Sequence, residues 1–210
     1  MTDAAKPASL RRLAAISVLM ASAFTSSRAA AVIATPASFV SLLPYIARGA
    51  LWESADRDGM VVFGRYRPAL DVLLSVAVVL LGFGIGIAAL VLGAFVAGPT
   101  GLLVVLLLVL LVFGTIGAGA LLLLTGSSLT GSVGRETPRG RRWTLMGLAQ
   151  RPGTRLSALL LARQLLDEVP AGGVVVAVAG SPELAAGYTR LGFTRGSGLR
   201  VHLVAPPPKP

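Results

Sequence analysis

Residues 72–125 read VLLSVAVVLLGFGIGIAALVLGAFVAGPTGLLVVLLLVLLVFGTIGAGALLLLT and contain no charged side chain. The stretch divides at Gly98, Pro99 and Thr100 into two apolar segments, residues 72–97 and 101–125. At about 1.5 Å per residue, a helix of either length crosses a hydrocarbon core of about 30 Å. Because a Gly-Pro pair breaks a helix and favours a turn, the sequence predicts a transmembrane helical hairpin with both ends on one side of the membrane.

Small residues recur at similar distances on both sides of this turn. They are Gly82, Gly84 and Gly86 before it and Gly114, Gly117, Ala118 and Gly119 after it. Small residues allow helices to approach closely in lipid, where apolar burial gives no net drive for association. We therefore expect Gly84 and Gly117 to lie at the interface between the two spans. Self-association of the protein through glycine-rich faces is a further possibility.

The charged residues surround the apolar stretch unevenly. Residues 1–71 hold eight Lys/Arg and five Asp/Glu, and residues 126–210 hold eleven and four. Seven arginines flank the spans and the turn between them carries none: Arg57, Arg65, Arg67, Arg135, Arg139, Arg141 and Arg142. The positive-inside rule then predicts a multi-pass cell-membrane protein with both termini in the cytoplasm.

Composition excludes several classes of function. Arginines beside apolar spans, without interleaved aromatic residues, indicate contact with the lipid bilayer and argue against nucleic acid as a partner, despite an isoelectric point near 11.5. The absence of cysteine excludes disulfides, thiol nucleophiles and thiolate metal sites. The single histidine, His202, lies in an alternating pattern that predicts a half-exposed strand position, so no metal is expected.

The N-terminal segment, residues 1–71, admits two interpretations. The apolar residues 13–24 are too few to span a bilayer and predict an amphipathic or buried helix. The basic start and the Ala-rich exit at residues 29–31 leave a signal peptide as the alternative. Beyond it, residues 39–50 predict a short or kinked helix, residues 53–59 a turn and residues 60–66 a strand.

The C-terminal part follows a basic linker, residues 126–140, and precedes a proline-rich tail, residues 205–210. Between them the pattern predicts β-α-β-α-β: strands at residues 143–149, 174–179 and 199–204, and helices at residues 156–169 and 182–191. This order indicates an α/β fold with a mixed sheet.

Residues 185–193, AAGYTRLGF, resemble the Ala-rich helix ending in Tyr-x-x-x-Gly-Phe of the GNAT (N-acetyltransferase) superfamily. The resemblance covers residues 141–204 and implies a GNAT-like fold that uses acetyl-CoA as co-substrate. It further implies that Tyr188 is the general acid for the departing thiolate. In that family a Gly-rich loop between a central strand and the helix after it would bind the diphosphate of CoA. The corresponding loop here precedes the predicted helix at residues 156–169 and contains Gln150, Arg151, Gly153, Thr154 and Arg155.

Residues 141–204 alone are short for a stable domain and would leave an uncovered strand edge. We therefore expect a split domain in which residues 60–66 pair with residues 143–149, the membrane hairpin being inserted between them. The implied function is a membrane-anchored acyltransferase acting on an unknown amine. The alternatives are a noncatalytic membrane protein that uses a degenerate acyltransferase fold for interaction or sensing, and a membrane protein with no ligand.

Overall fold

The computed structural model describes residues 6–124, 133–154 and 156–206 of the chain. The strands within these ranges are β1 Lys6–Pro7, β2 Leu51–Glu53, β3 Gly59–Arg65, β4 Arg142–Gln150, β5 Val174–Val178, β6 Thr194–Arg195 and β7 Arg200–Val204. The α-helices are α1 Leu13–Phe24, α2 Arg28–Ala47, α3 Pro68–Leu124, α4 Ser157–Asp167 and α5 Pro182–Arg190. The protein is therefore a mixed α/β structure, as expected.

All seven strands belong to one sheet in the order β1-β2-β3-β4-β5-β7-β6. Only β4 and β5 run parallel, and every other neighbouring pair is antiparallel. The predicted pairing across the apolar insertion is confirmed, because β3 pairs with β4 from Gly59 opposite Gln150 to Arg65 opposite Trp143. The sheet is thus completed by strands from both sides of α3.

The sheet has a helical layer on each face. Side chains alternate along β3, so Val61 and Phe63 point to one face while Met60 and Val62 point to the other. The first face is covered by α4 with Leu161 and Leu165, and the second by α1 and α2. Because Leu13 and Ile16 of α1 are buried in the second cluster, the buried-helix interpretation of residues 13–24 is confirmed.

Helix α2 is longer than the sequence pattern suggested. It begins at Arg28, where the Ser27 hydroxyl caps it by accepting a hydrogen bond of 3.2 Å from the Ala30 N–H. The expected start at residue 39 was wrong, since the helix already includes residues 28–38. Two prolines, Pro36 and Pro44, lie within it. His202 differs as well: it is 8% exposed and therefore buried rather than half-exposed.

Helix α3 is broken at Gly98, whose φ of 59° and ψ of −148° require a glycine. The break separates a first arm, Pro68–Val96, from a second arm, Gly98–Leu121. Phe83 stacks on Phe113 with ring centroids 4.9 Å apart, and both residues lie 15 positions from Gly98. The two arms therefore run antiparallel and pack on each other.

Only some of the glycines serve this packing. A Cβ atom at Gly93 would stand 2.7 Å from Val105 Cγ2, and one at Gly86 would stand 3.4 Å from Phe113. Gly84 and Gly117 have nothing within 4 Å of an added Cβ, so their expected place at the interface is wrong. A helix turns by about 100° per residue, which puts Gly84 on the opposite side from Gly86.

Three helices within the described residues are long and apolar enough to cross a membrane: Arg28–Ala47, Pro68–Val96 and Gly98–Leu121. The first of these, α2, packs on the second arm, where a Cβ atom at Gly119 would stand 2.6 Å from the Ile33 carbonyl oxygen. Large apolar side chains are exposed along both arms, from Val72 to Leu121. Such an exposed apolar surface identifies a membrane protein.

An ion pair joins α2 to the start of α3. Arg48 Nη1 lies 2.8 Å from Asp71 Oδ1, and the two side chains are only 11% and 17% exposed. The Arg48 guanidinium also lies 5.2 Å from the centre of the Tyr45 ring and donates to the Arg65 carbonyl. This cluster fixes α3 to the sheet where β3 ends.

Candidate functional site

Strand β4 continues beyond the end of its parallel neighbour β5, which stops at Val178. Their pairing covers four positions, from Arg142 opposite Val174 to Leu145 opposite Ala177. Beyond Leu145, β4 continues to Gln150 paired with β3 alone. Residues 146–150 therefore present a main-chain edge toward β5, and we call this opening the fork. A free strand edge offers amide and carbonyl groups to an extended ligand.

A β-bulge lies in β4 beside the fork. Met60 pairs with Ala149 but Val62 pairs with Met146, so two residues of β4, Gly147 and Leu148, stand opposite one of β3. Gly147 has φ +61°, which a residue with a side chain adopts only under strain. A bulge bends its strand and increases the local twist, here within residues 146–150.

The loop after β4 contains the residues expected to bind the diphosphate of CoA. Gln150 Nε2 donates to the Thr154 carbonyl at 3.3 Å, and Thr154 Oγ1 donates to the Arg151 carbonyl at 2.7 Å. Gly153 has φ +85°, with nothing within 4 Å of an added Cβ. These contacts bring four of the five expected residues into one tight turn. The fifth, Arg155, lies outside the described residues.

The turn between β2 and β3 is docked on the start of α4. Ser157, the first residue of α4, donates its hydroxyl proton to Asp56 Oδ2 at 2.6 Å. Asp56 Oδ1 accepts from the Ser54 hydroxyl at 2.5 Å. The hydrogen bond from Ser157, followed by that from Ser54, lowers the pKa of the Asp56 carboxyl. Asp56 is therefore a carboxylate at neutral pH, held where the helix dipole favours an anion.

A second acidic residue of the same turn holds the loop. The Arg151 N–H donates to the Asp58 carbonyl at 2.7 Å, and the Arg151 side chain pairs with the Asp58 carboxylate at 3.2 Å. Gly59 follows directly, and a Cβ atom there would stand 2.6 Å from the Ala158 nitrogen. Gly59 thus permits close contact between β3 and the first turn of α4.

Tyr188 lies on α5, which follows β5 in the chain. Its ring meets that of Phe193 edge to face, with centroids 5.2 Å apart, and packs on the core cluster that contains Val175 and Ala177. Burial raises the pKa of Tyr188 to about 12. The phenol is therefore protonated at neutral pH. The expected site residues fall into two groups, the loop and this helix.

The roles of Asp56, Asp58 and Ser157 could not be predicted from the sequence. Residues 53–59 carry a clear turn signal, but no pattern connects position 56 to position 157. Seen from the sequence, both carboxylates belonged to an ordinary solvated turn. Within residues 6–124, 133–154 and 156–206, no group of three or more His, Asp and Glu side chains is placed to hold a metal ion.

Comparison with protein-family models, with curated proteins and with solved structures gives no match for this chain.

Proposed function

We propose that this protein is a membrane-anchored acyltransferase of the GNAT type, which moves an acyl group from acyl-CoA to an amine. The observation that carries the proposal is the fork, where β4 continues without a β5 partner after Leu145 and leads directly to Gln150 and the loop. A strand edge of this kind suits the extended, amide-containing arm of CoA. Acyl-CoA supplies the activated thioester when it is bound.

The residues of this chain have distinct parts in the proposed reaction. Main-chain N–H groups of residues 146–150 are available to polarise a carbonyl oxygen. Tyr188, with a pKa of about 12, keeps its proton at neutral pH. An ordinary thiol has a pKa of about 8.5, so transfer of a proton from this phenol to a departing thiolate is uphill. The phenol can therefore serve as the acid only if it lies within hydrogen-bond reach of the thiolate.

The fit to CoA differs between its two halves. The fork suits the thioester arm, whereas the start of α4 already holds the Asp56 carboxylate on Ser157. A diphosphate brought to the same helix end would meet a like charge. The part of the loop open to a diphosphate therefore consists of Gly153 and Arg151, whose side chain is 65% exposed.

This carboxylate also favours a second candidate function. A domain whose helix end is filled by its own Asp56 suits a noncatalytic module for interaction or ligand sensing, in which the acyltransferase fold is degenerate. Such a module is expected to bind neither half of CoA, or to bind the thioester arm without turnover. The two candidates therefore differ in a property that binding and activity measurements separate.

The membrane assignment accompanies either candidate. We propose that the two arms of α3 span the bilayer and that both soluble parts lie in the cytoplasm. Two of the seven arginines, Arg57 and Arg135, no longer count toward this orientation. Arg57 lies in the β2–β3 turn. Arg135 precedes Glu136, which accepts a hydrogen bond from the Ser197 N–H between β6 and β7, at the Val178 end of β5. Five flanking arginines remain near the arms: Arg65, Arg67, Arg139, Arg141 and Arg142. They still favour a cytoplasmic domain.

Self-association through the membrane arms also belongs to the proposal. Gly84, Gly114 and Gly117 have open space beyond their Cα atoms, so they are available to another helix rather than to the partner arm. Close approach at such positions is how helices associate in lipid. Crosslinking in the membrane, with leucine at Gly117 as the variant, tests this part.

Calorimetry with fragments of the co-substrate tests the function. Acetyl-CoA, acetyl-pantetheine and adenosine 3′,5′-bisphosphate are titrated separately into the purified full-length protein in detergent. We expect acetyl-CoA and acetyl-pantetheine to bind and the bisphosphate to bind more weakly. An acetylation assay with a panel of amines accompanies the titrations. Binding of the thioester arm without turnover supports the noncatalytic module, and no binding of any fragment rejects the acyltransferase.

A reporter fused after Pro210 tests the orientation. We expect it to be active only as a cytoplasmic fusion. A reporter found on the outer side would reject both the orientation and the use of CoA, which is an intracellular compound.

A further inference from the structure

The sheet has one end at the membrane arms and one end away from them. Arg65 of β3 pairs with Trp143 of β4, and the Tyr66 N–H donates to the Arg142 carbonyl at 2.9 Å. Helix α3 starts directly afterwards, at Pro68. The opposite end of the same strand pair is Gly59 with Gln150. The loop after Gln150 and the membrane arms are therefore at opposite ends of the sheet.

The separation follows from the length of β3. Strand β3 has seven residues, so six steps of about 3.3 Å place Gly59 about 20 Å from Arg65 along the strand. Helix α3 does not fold back over this distance, since it packs against α2 and not along any strand of the sheet. The exposed apolar surface of the arms begins at Val72, close to the end of β3.

The fork opens toward the distant end. Strands β4 and β5 are parallel, and both run from the membrane side, where Arg142 meets Val174, toward Gln150 and Val178. Ligands of open α/β sheets bind outside the carboxyl ends of the strands. The turn that carries Asp56 stands at the same end, because it leads directly into Gly59.

We infer that the sheet stands away from the bilayer with the candidate site at its far end, open to the aqueous phase, so that its acceptor is a water-borne amine and not the amine of a lipid headgroup. The inference rests on the proposed function. A phosphatidylethanolamine molecule in the same leaflet lies at the level of the Arg67 end of the sheet. It would have to move along β3 from Arg65 to at least Val62, which is opposite Met146, to reach the near end of the fork, and to Gly59 to reach the loop.

Depth measurement tests the orientation without any requirement for activity. Since the chain contains no cysteine, single-cysteine variants carry one label each. Ala55 in the β2–β3 turn and Ala69 in the first turn of α3 are both exposed and form a matched pair, Ala55→Cys and Ala69→Cys. Each labelled protein is reconstituted into vesicles that contain lipids with a quencher on the headgroup. We expect strong quenching at position 69 and weak quenching at position 55, and equal quenching would overturn the orientation.

An acetyl-transfer assay tests the acceptor. The wild-type protein in phosphatidylethanolamine vesicles is given labelled acetyl-CoA together with a soluble lysine peptide. We expect the peptide to be acetylated and the lipid not. Acetylation of the lipid would overturn the inference and leave the proposed function in place. If neither is acetylated, the proposed function is rejected together with the acceptor assignment, and the depth measurement still decides the orientation.

Discussion

The Ser157 hydroxyl donates a hydrogen bond of 2.6 Å to the Asp56 carboxylate, across 101 positions of the chain. This bond joins the β2–β3 turn to the first turn of α4, beside the loop proposed to receive a diphosphate. It makes Asp56 an internal competitor for an anion at that helix end.

Replacing this carboxylate is therefore expected to improve binding of the co-substrate. We predict that Asp56→Asn raises the affinity for acetyl-CoA by about three- to tenfold, because it removes a like charge from the path of the diphosphate. Calorimetry measures the change, with Glu183→Gln on α5 as a charge-matched control. Acetyl-pantetheine, which lacks the diphosphate, should bind both proteins equally. An equal gain for acetyl-pantetheine would show that the effect is not electrostatic.

Asp56 also gives the domain a pH dependence with a definite sign. Its pKa in the folded protein is lowered below the unfolded value of about 3.9, so its contribution to stability is complete above that value. The contribution is lost as the pH falls through the folded pKa. We predict that the difference in melting temperature between the wild type and Asp56→Asn is largest near neutral pH and shrinks as the pH falls below the unfolded pKa of about 3.9. A difference that grows on acidification would contradict the assignment.

Tyr188 provides a kinetic test of the proposed general acid. We predict that Tyr188→Phe lowers turnover about tenfold or more while acetyl-CoA still binds, because only the proton donor is removed. With a pKa of about 12, the phenol should cause no loss of activity below about pH 10. Stopped-flow or radiometric rates across that pH range give the profile. Unchanged turnover in the variant would leave Tyr188 with only its packing contact to Phe193.

The arms of α3 differ in which glycines they need. We predict that Gly93→Leu lowers the thermal stability of the hairpin in detergent, since even a Cβ atom would stand 2.7 Å from Val105 Cγ2. Gly84→Leu is the matched control on the same arm and, in a detergent that keeps the protein monomeric, should leave the melting temperature within error, because its Cβ meets no atom within 4 Å. Equal effects of the two substitutions would reject the packing of the arms described above.

The ion pair at the start of α3 is expected to behave as a buried pair. We predict that Asp71→Asn costs about 3 kcal/mol of unfolding free energy, because it leaves the Arg48 charge without compensation. The double variant Asp71→Leu with Arg48→Met should recover most of that loss, since two apolar side chains of similar volume leave no buried charge. Chemical denaturation in mild detergent measures both values. A double variant as unstable as the single one would mean that α3 needs the charges themselves.

Much of the sheet could be predicted from local patterns. Residues 60–66 are rich in β-branched and aromatic side chains. Their pairing with residues 143–149 was predicted because residues 141–204 alone bury too little apolar surface and leave an uncovered strand edge, and because both ends of the apolar hairpin lie on one side. Helix α2 was harder, because Pro36 and Pro44 are poor helix residues whose missing hydrogen bonds are tolerated only in the folded packing. The face on which each glycine lies depends on the rotation of the arms, which composition does not determine.

The candidate site was less accessible to sequence reasoning. The loop at residues 150–155 was identified through the resemblance to the GNAT superfamily, in which a Gly-rich loop opens the helix after a central strand. The two carboxylates that contact this loop come from another part of the chain, and their role depends on the register of β3 against β4. Contacts between distant segments leave no pattern in a single sequence.

The pairing of β3 with β4 also sets an order of events during synthesis. At about 5 to 20 residues per second, the ribosome needs about 4 to 15 s to pass from Arg65 to Arg142. During that interval both membrane arms are synthesised. Strand β3, with Val61 and Phe63, has no β4 to pair with its edge until Arg142–Gln150 have been made. An unpaired edge of this kind is prone to join other chains. The arms therefore reach the lipid bilayer before the sheet is complete. If membrane insertion fails, the first expected consequence is aggregation of the N-terminal half.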